Sequence, residues 1–348
     1  MKIRTKYLIL SILFSIGSYA QEDDVTKFAN EMLYIADEFA GPAAEGAAYQ
    51  AGAGWFTSAT ALKPWKVEIS FQGNALIVPS NRQSFTISNN DFAGVHSGGS
   101  PILSIEGEGS NAVVPTAFGG ETETYFVGEV DYLGNTVPIR FRAIEGINKN
   151  ILAYPFVQAT VGLPYETEFS ARILPQLTVD GVAFTTYGAA VKHNFTQYFR
   201  FNNEDDFQAS AIIAFNKFDA EYEFVDPVNL SDPVNSSSSS EENSFGNLTL
   251  VNVNSNLWMA SVLGSKKYGD SFEVFGALGA TNSNFSYAMG GTGVALSPIN
   301  NALARLDQSQ AQFKADLGFN IYFNRFKIST MATAGKFFHV NAGLHFRI

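Results

Sequence analysis

The chain has 348 residues, no cysteine and a formal net charge of −11. Disulfides, thiolate metal sites and a cysteine nucleophile are excluded, and nucleic acid as a partner is not expected of an acidic chain without basic patches. Hydrophobic residues make up 46% and charged residues 16%, against roughly 25% charged in ordinary soluble proteins. After the first twenty residues no apolar run reaches about 18, so no spanning helix is expected.

Residues 1–20 read as a cleaved secretory signal peptide. Lys2, Arg4 and Lys6 precede the apolar run YLILSILFSIG, and Ser18-Tyr19-Ala20 is a cleavage site ahead of Gln21. Residues 21–44 read as an N-terminal helical segment. In DDVTKFANEMLYIADEF, Val25, Phe28, Met32, Ile35 and Phe39 share one helical face, and AGP at 40–42 stops the helix. Such a helix either plugs a barrel or packs on its mouth.

From residue 45 to 348 the pattern is β. AYQAGAGWFTSAT (48–60) reads as a glycine-weakened first strand, and WKVEISFQGNALIV (65–78) alternates on a period of two. FVQATVG and YETEFSARIL flank a turn at Leu163-Pro164. Two long pairs follow, VAFTTYGAAVKHNFTQYF with FQASAIIAFNKFDAEYEF, and LTLVNVNSNLWMASVLG with SFEVFGALGATNSNFSYAM. QFKADLGFNIYF (312–323) sets Phe313, Ala315, Leu317, Phe319, Ile321 and Phe323 against Gln312, Lys314, Asp316, Gly318, Asn320 and Tyr322. Leu317 is expected to face lipid and Asp316 the lumen, so Asp316→Asn should cost much less than Leu317→Arg. FKISTMAT and the terminal strand FFHVNAGLHFRI close the chain, the latter with Phe338, Val340, Ala342, Leu344, Phe346 and Ile348 on one face.

Residues 79–151 read less regularly. TYFVGEV and VPIRFRAI form a hairpin around Leu133-Gly134-Asn135. Eleven candidate strands lie outside this region; a bacterial barrel wants an even number, so a strand hides here or the hairpin belongs to a plug. Two long connections, 226–247 and 290–310, fall at the same end of the barrel. The expected fold class is all-β, a transmembrane antiparallel up-and-down β-barrel of about 12–14 strands, the count coming from dividing the mature length among strands and loops.

NAGLHFRI resembles the C-terminal signal read by the outer-membrane assembly machinery: Asn341, Gly343, Phe346 and Ile348 occupy its positions, with Ile in place of the commoner final Phe. GWFTSAT (54–60), GLPYETEFSARILPQ (162–176) and YGAAVKHNF (187–195) resemble a family of uncharacterised outer-membrane β-barrel-like proteins of Gram-negative bacteria, which implies no activity. The layout of helix then barrel is distantly similar to the long-chain fatty-acid outer-membrane channels. These resemblances imply the cell outer membrane as location, and its lipid and assembly machinery as partners.

Little catalytic chemistry is visible. His339 and His345 share a strand face about 20 Å apart at roughly 3.3 Å per residue, too far to share a metal. His193 has no G-x-S-x-G serine to serve, NNEDD (202–206) is not a calcium loop, and GGTG (290–293) lacks the lysine of a phosphate loop. His96 sits in loop sequence. No cofactor and no enzyme activity are expected. The candidate lumen residues are Glu166, Glu168, Arg172, Lys314, Asp316, His339, Asn341, His345 and Arg347, as a selectivity ring or, more plainly, as mutual pairs filling the interior. The leading expectation is a passive channel for a small solute, a hydrophobic one included. The alternative is a closed structural barrel that binds partners through its loops.

Overall fold

The computed structural model describes residues 23–95, 100–179, 181–199, 207–230, 245–305 and 308–348. The segment expected to be a signal peptide, His96, NNEDD and most of the serine-rich connection lie outside the described residues. One long helix, α1 (Asp24–Ala51), is followed by fifteen strands among the described residues. Strand β1 (Val67–Ile77) opens the barrel. Five strands then form a separate insert: β2 (Ser84–Ser88) pairs with β4 (Asn111–Pro115), and β3 (Leu103–Ile105) with β5 (Tyr125–Tyr132), which pairs in turn with β6 (Asn135–Arg142). The barrel resumes with β7 (Ile151–Leu163), β8 (Thr167–Val179), β9 (Val182–Asn194), β10 (Gln208–Asn229), β11 (Asn247–Tyr268), β12 (Phe272–Thr292), β13 (Gln308–Phe323), β14 (Phe326–Gly335) and β15 (Phe338–Arg347).

Among the described residues ten strands close the barrel, every neighbour antiparallel, and the last pairs with the first from Glu68↔Arg347 to Ile77↔Phe338. Beyond the strand ends, Ile348 and Val67 exchange backbone hydrogen bonds in both directions. The chain therefore runs as a strand to its end because its last residues seal the seam, where unpaired amides would face lipid. The fold class is the expected one. The count is ten rather than 12–14, for two reasons. Strands β10, β11 and β12 have 22, 22 and 21 residues, about twice a membrane crossing, and the insert takes up chain that the division assigned to the barrel. Residues 48–60 are not a strand, so the eleven candidates become ten and no strand has to hide in the insert.

The faces follow the sequence pattern. On β13 Lys314, Asp316, Gly318 and Asn320 are buried and Phe313, Ala315, Leu317 and Phe319 exposed; on β15 His339, Asn341, Gly343 and His345 are buried. Along β10–β12 the polarity inverts part-way. On β12 the outward residues Phe272, Val274, Leu278 and Ala280 give way to Asn282, Asn284 and Ser286, while the inward ones change from Glu273, Thr281 and Ser283 to Phe285, Tyr287 and Met289. On β10 outward Ala211, Ile213 and Phe215 give way to Lys217, Asp219, Glu221 and Glu223. The inversion marks the upper edge of an apolar belt. On β11 that belt runs from Trp258 to Tyr268, a height of about 25 Å at ~3.3 Å per residue and ~40° tilt. Trp65, Tyr165, Tyr268, Phe323 and Phe326, all exposed, form an aromatic girdle at its lower edge.

Above the belt the strands wrap α1. Phe28 packs at a tilt against Phe245, and Phe39 stacks on Tyr222. The helix does not stop at AGP: it passes through Pro42 to Ala51. Proline removes one helical donor, but the surrounding alanines favour helix and the insert covers the disturbed turn, Ala117 donating to the Phe39 carbonyl at 2.9 Å. Glu45 ties the helix to Arg82 of the insert and to Lys336 in the β14–β15 turn. Glu31 accepts from the backbone of Ile102 and Leu103. The hairpin of β5 and β6 thus belongs to a cap over α1, neither to the barrel nor to a plug.

Deleting Phe346–Ile348 removes the Ile69↔Phe346 and Glu68↔Arg347 pairings, so no heat-modifiable folded band should form on electrophoresis; a normal band would contradict the seam. Leu317→Arg, mid-belt, should cost about 2–4 kcal/mol in liposome refolding, and Ala288→Arg, outward but above the belt, about 0–1.

Candidate functional site: a polar lumen and the segment that fills it

Residues 52–62, between α1 and β1, run down the inside of the barrel. They have no regular hydrogen-bonding ladder, so each buried amide and carbonyl needs a partner from the wall. Arg172 of β8 donates to the carbonyls of Ala53 (2.7 Å) and Ala51 (3.3 Å). Lys314 of β13 donates to Gly52 (3.1 Å), Gln158 of β7 to Trp55 (3.4 Å), and Asn320 of β13 to Thr57 (2.6 Å). Lys192 of β9 serves both Ser58 (2.7 Å) and Thr60 (3.1 Å). Asn194 and Ser210 share the Ala59 carbonyl. In the other sense the Ser265 hydroxyl accepts from Ala59 N, and Glu168 from Leu62 N at 2.6 Å.

The charges are arranged around this segment. Lys192 pairs with Glu168 at 2.7 Å and Lys314 with Asp316 at 3.1 Å, the latter pair fully buried. Thr333 also donates to Asp316. Near the lower end Glu68 gathers Lys327 (2.7 Å), Arg347 (2.7 Å) and His345 (3.0 Å), and Lys327 reaches on to the Thr57 hydroxyl. Glu273 accepts from Ser58, Asn320 and Tyr322. Arg172 has no carboxylate partner among the described residues. Its guanidinium lies between the rings of Trp55 and Phe156, 4.0 and 3.9 Å from their centroids, and bonds Gln158. A weakly hydrated planar cation suits such a site.

Of the nine residues expected in the lumen, eight lie on inward positions of the barrel. Arg347 is half-exposed at the lower rim, and Asn341 bonds Asn74 at 2.6 Å. His339 packs edge-on against Tyr49, 5.3 Å between centroids. Glu166 is the exception: it is exposed in the β7–β8 turn with φ of 49°, because positive φ at both Tyr165 and Glu166 turns the chain before the inward alternation of β8 begins. Mutual pairing holds for Lys314 with Asp316. Glu168 goes to Lys192 and Arg172 to the segment instead. His193 sits at the lower rim on Thr167 and Tyr198.

The segment is not the strand expected at 48–60, although Gly54, Trp55, Phe56 and Thr57 have strand-like composition. Gly54 carries the usable signal. Its φ is 66°, a conformation that calls for glycine, and a Cβ there would have to displace the side-chain ends of Asn341 and Gln72, 2.7 and 2.9 Å away.

Above the segment lies a cavity of about 170 Å³ between α1 and the wall. Small and aromatic side chains line it: Ala40, Ala44 and Ala47 of α1, Tyr154 of β7, Phe184 of β9 and Tyr222 of β10. On α1, above the belt, burial and the nearby Asp37 and Asp91 raise the Glu38 carboxyl above its ordinary range. A proton there favours the folded state, so this part of the contact between helix and insert strengthens as pH falls through the raised value and weakens as pH rises.

The buried pair changes one expectation drawn from the sequence. Asp316→Asn leaves the Lys314 ammonium buried without its counter-charge and should cost about 3–5 kcal/mol, comparable to Leu317→Arg rather than much less. Urea titration of the refolded barrel reads the difference; a cost below that of Ala288→Arg would refute the ion pair.

The family model described as Family of unknown function (DUF6588) matches residues 1–348. No curated protein matches the sequence. Among solved structures the chain is similar to the β domain of the Bordetella autotransporter BrkA, at 7% identity and TM-score 0.35 over 82% of this chain and 99% of that one. It is similar to the translocator domain of the autotransporter NalP from Neisseria meningitidis, at 7% identity and TM-score 0.31 over 82% and 88%. A Pseudomonas aeruginosa FadL homologue is similar at 9% identity and TM-score 0.28 over 78% and 61%. At these scores no residue of this chain takes a role from them.

Proposed function

The chain belongs to the DUF6588 family of unknown function, and from that premise we propose that it is an outer-membrane β-barrel that holds a small hydrophobic solute above a lumen closed by its own chain. The belt of about 25 Å supports the membrane setting. The observation that carries the rest is the pairing of a filled polar lumen with an apolar cavity directly above it. An engineered apolar cavity of about 150 Å³ admits one benzene, so a space of about 170 Å³ suits one ring or a short stretch of hydrocarbon. The solute meets α1, and α1 continues at Ala51 straight into the segment that blocks the lumen. Passage through the barrel requires that segment to move, so transport on this reading is gated rather than passive. The filled lumen equally favours a second reading, a closed structural barrel with no solute.

Two measurements on the purified full chain separate these. In liposome swelling, the wild type should admit no arabinose above the protein-free rate; porin-like swelling would refute a closed lumen. The neutral fluorescent probe N-phenyl-1-naphthylamine should bind the protein in detergent, and Ala47→Phe, which fills the cavity, should weaken binding at least about tenfold. Absence of probe binding would leave the structural barrel as the better reading.

A further inference from the structure

The barrel wall is not closed along its whole height. Strand β7 pairs with the full length of β1, from Val67↔Val161 to Ile77↔Ile151. Its other edge pairs with β8 only from Leu163↔Thr167 to Val157↔Ile173. Residues 151–156 of β7 therefore have no strand partner on that edge among the described residues. Opposite them β8 leaves its regular register with β9 between Leu174 and Leu177.

Two prolines account for the place where the seam ends. Gly162 exchanges backbone hydrogen bonds with Trp65 and Lys66 on the β1 side, so even-numbered residues of β7 direct their polar groups to β1 and odd-numbered ones to β8. The Glu166 carbonyl accepts from Asn194 on the β9 side, so odd-numbered residues of β8 face β7. The next rung above Val157↔Ile173 would join residues 155 and 175 as a pair exchanging both amide hydrogen bonds. Both are proline, and neither has an N–H to give. A rung without donors cannot form, and Pro175 lies in the stretch where β8 bulges, a usual place for proline within a sheet.

The open seam adjoins the cavity. Ile151, Leu152, Ala153 and Tyr154, all from the unpaired stretch, line it together with Phe184 of β9. Residues of both parities take part, as expected of a space that reaches the free edge of the strand and not one face alone. Tyr154 packs against Phe184 across the gap, with centroids 5.9 Å apart. Pro155 stands eight residues above Leu163 on a belt about ten residues high, so the gap begins just under the upper edge of the belt. The outward residues there, Ile151, Ala153 and Pro155, are exposed.

From these placements we infer that the β7–β8 seam is a lateral port, through which a hydrophobic solute dissolved in the membrane reaches the cavity beside α1, with Tyr154 and Phe184 as its gateposts. The inference rests on the solute-binding reading of the cavity. The donor-free rung keeps the port open, and the aromatic pair fills it when no solute passes.

The test uses the full chain in phospholipid vesicles. Residue-resolved hydrogen exchange on the wild type should show the Ala153 amide exchanging at least about a hundredfold faster than those of Ala159 and Val161, which are paired on the same edge. Equal protection would overturn the open seam. Pro155→Val with Pro175→Val restores both donors on outward positions and should zip the rung. Association of N-phenyl-1-naphthylamine from the vesicle should then slow at least about tenfold, with its equilibrium affinity in detergent within about threefold. Unchanged association in a variant whose amides at positions 155 and 175 are protected from exchange would overturn the port. Pro175→Val alone, which restores one donor, serves if the double variant does not fold. No probe binding by the wild type would overturn the cavity reading and the port with it; binding by a wild type with a protected Ala153 would overturn the port alone.

Discussion

One constraint organises the whole molecule: a backbone amide or carbonyl shut away from water must be hydrogen-bonded, in lipid and in a packed lumen alike. Against lipid the answer is the ladder, which is why β15 runs to the chain end and bonds β1. Inside the barrel the segment 52–62 has no ladder, and side chains from the wall stand in for one. Arginine, lysine and asparagine donate to its carbonyls, while serine and glutamate accept from its amides. The lumen charges are therefore not a selectivity ring around an empty pore. They are the hydrogen-bonding partners of an irregular chain, with enough carboxylates nearby to compensate most of the cations.

The inversion along β10–β12 shows how far the same alternation can be reused. A strand has one face in and one face out throughout, so only the chemistry of each face can change with height. Within the belt the outside is apolar because lipid is there, and the inside polar because the segment needs partners. Above it the outside meets water and the inside meets α1, so both faces exchange character within a few residues of Asn216 and Thr281 without any break in the ladder. Strands long enough to cross twice the membrane thickness are explained by the helix they have to cover.

Much of this was legible in the sequence. The faces of β13 and β15 follow from simple alternation, and the closing strand follows from apolar alternation carried to Ile348. Other parts need tertiary information. AGP at 40–42 disfavours an isolated helix, and here the turn is covered by the insert, whose Ala117 amide donates to the Phe39 carbonyl. The segment around Trp55 has strand-like composition and lacks only a neighbour to pair with. Partner choice at Glu168 and Arg172 depends on what lies in the lumen, not on their shared face. The two prolines are an intermediate case: both lie ten residues from Tyr165, so once the turn is placed there their opposition follows by counting.

The filled lumen also limits how a gate could work. Each hydrogen bond from wall to segment is worth about 0.5–1.5 kcal/mol net, and some ten of them hold residues 51–62. Expelling the segment in one step without replacement partners would approach the full stability of a typical domain. Water entering as the bonds break removes most of that cost, because hydrated carbonyls and hydrated cations are both satisfied. A gate in this barrel is therefore a hydration event as much as a displacement. On the proposed reading it would start where water already has access, at the lower rim where Arg347 is half-exposed, and a solute beside α1 would bias it only by favouring one position of Ala51, the residue that joins the helix to the segment.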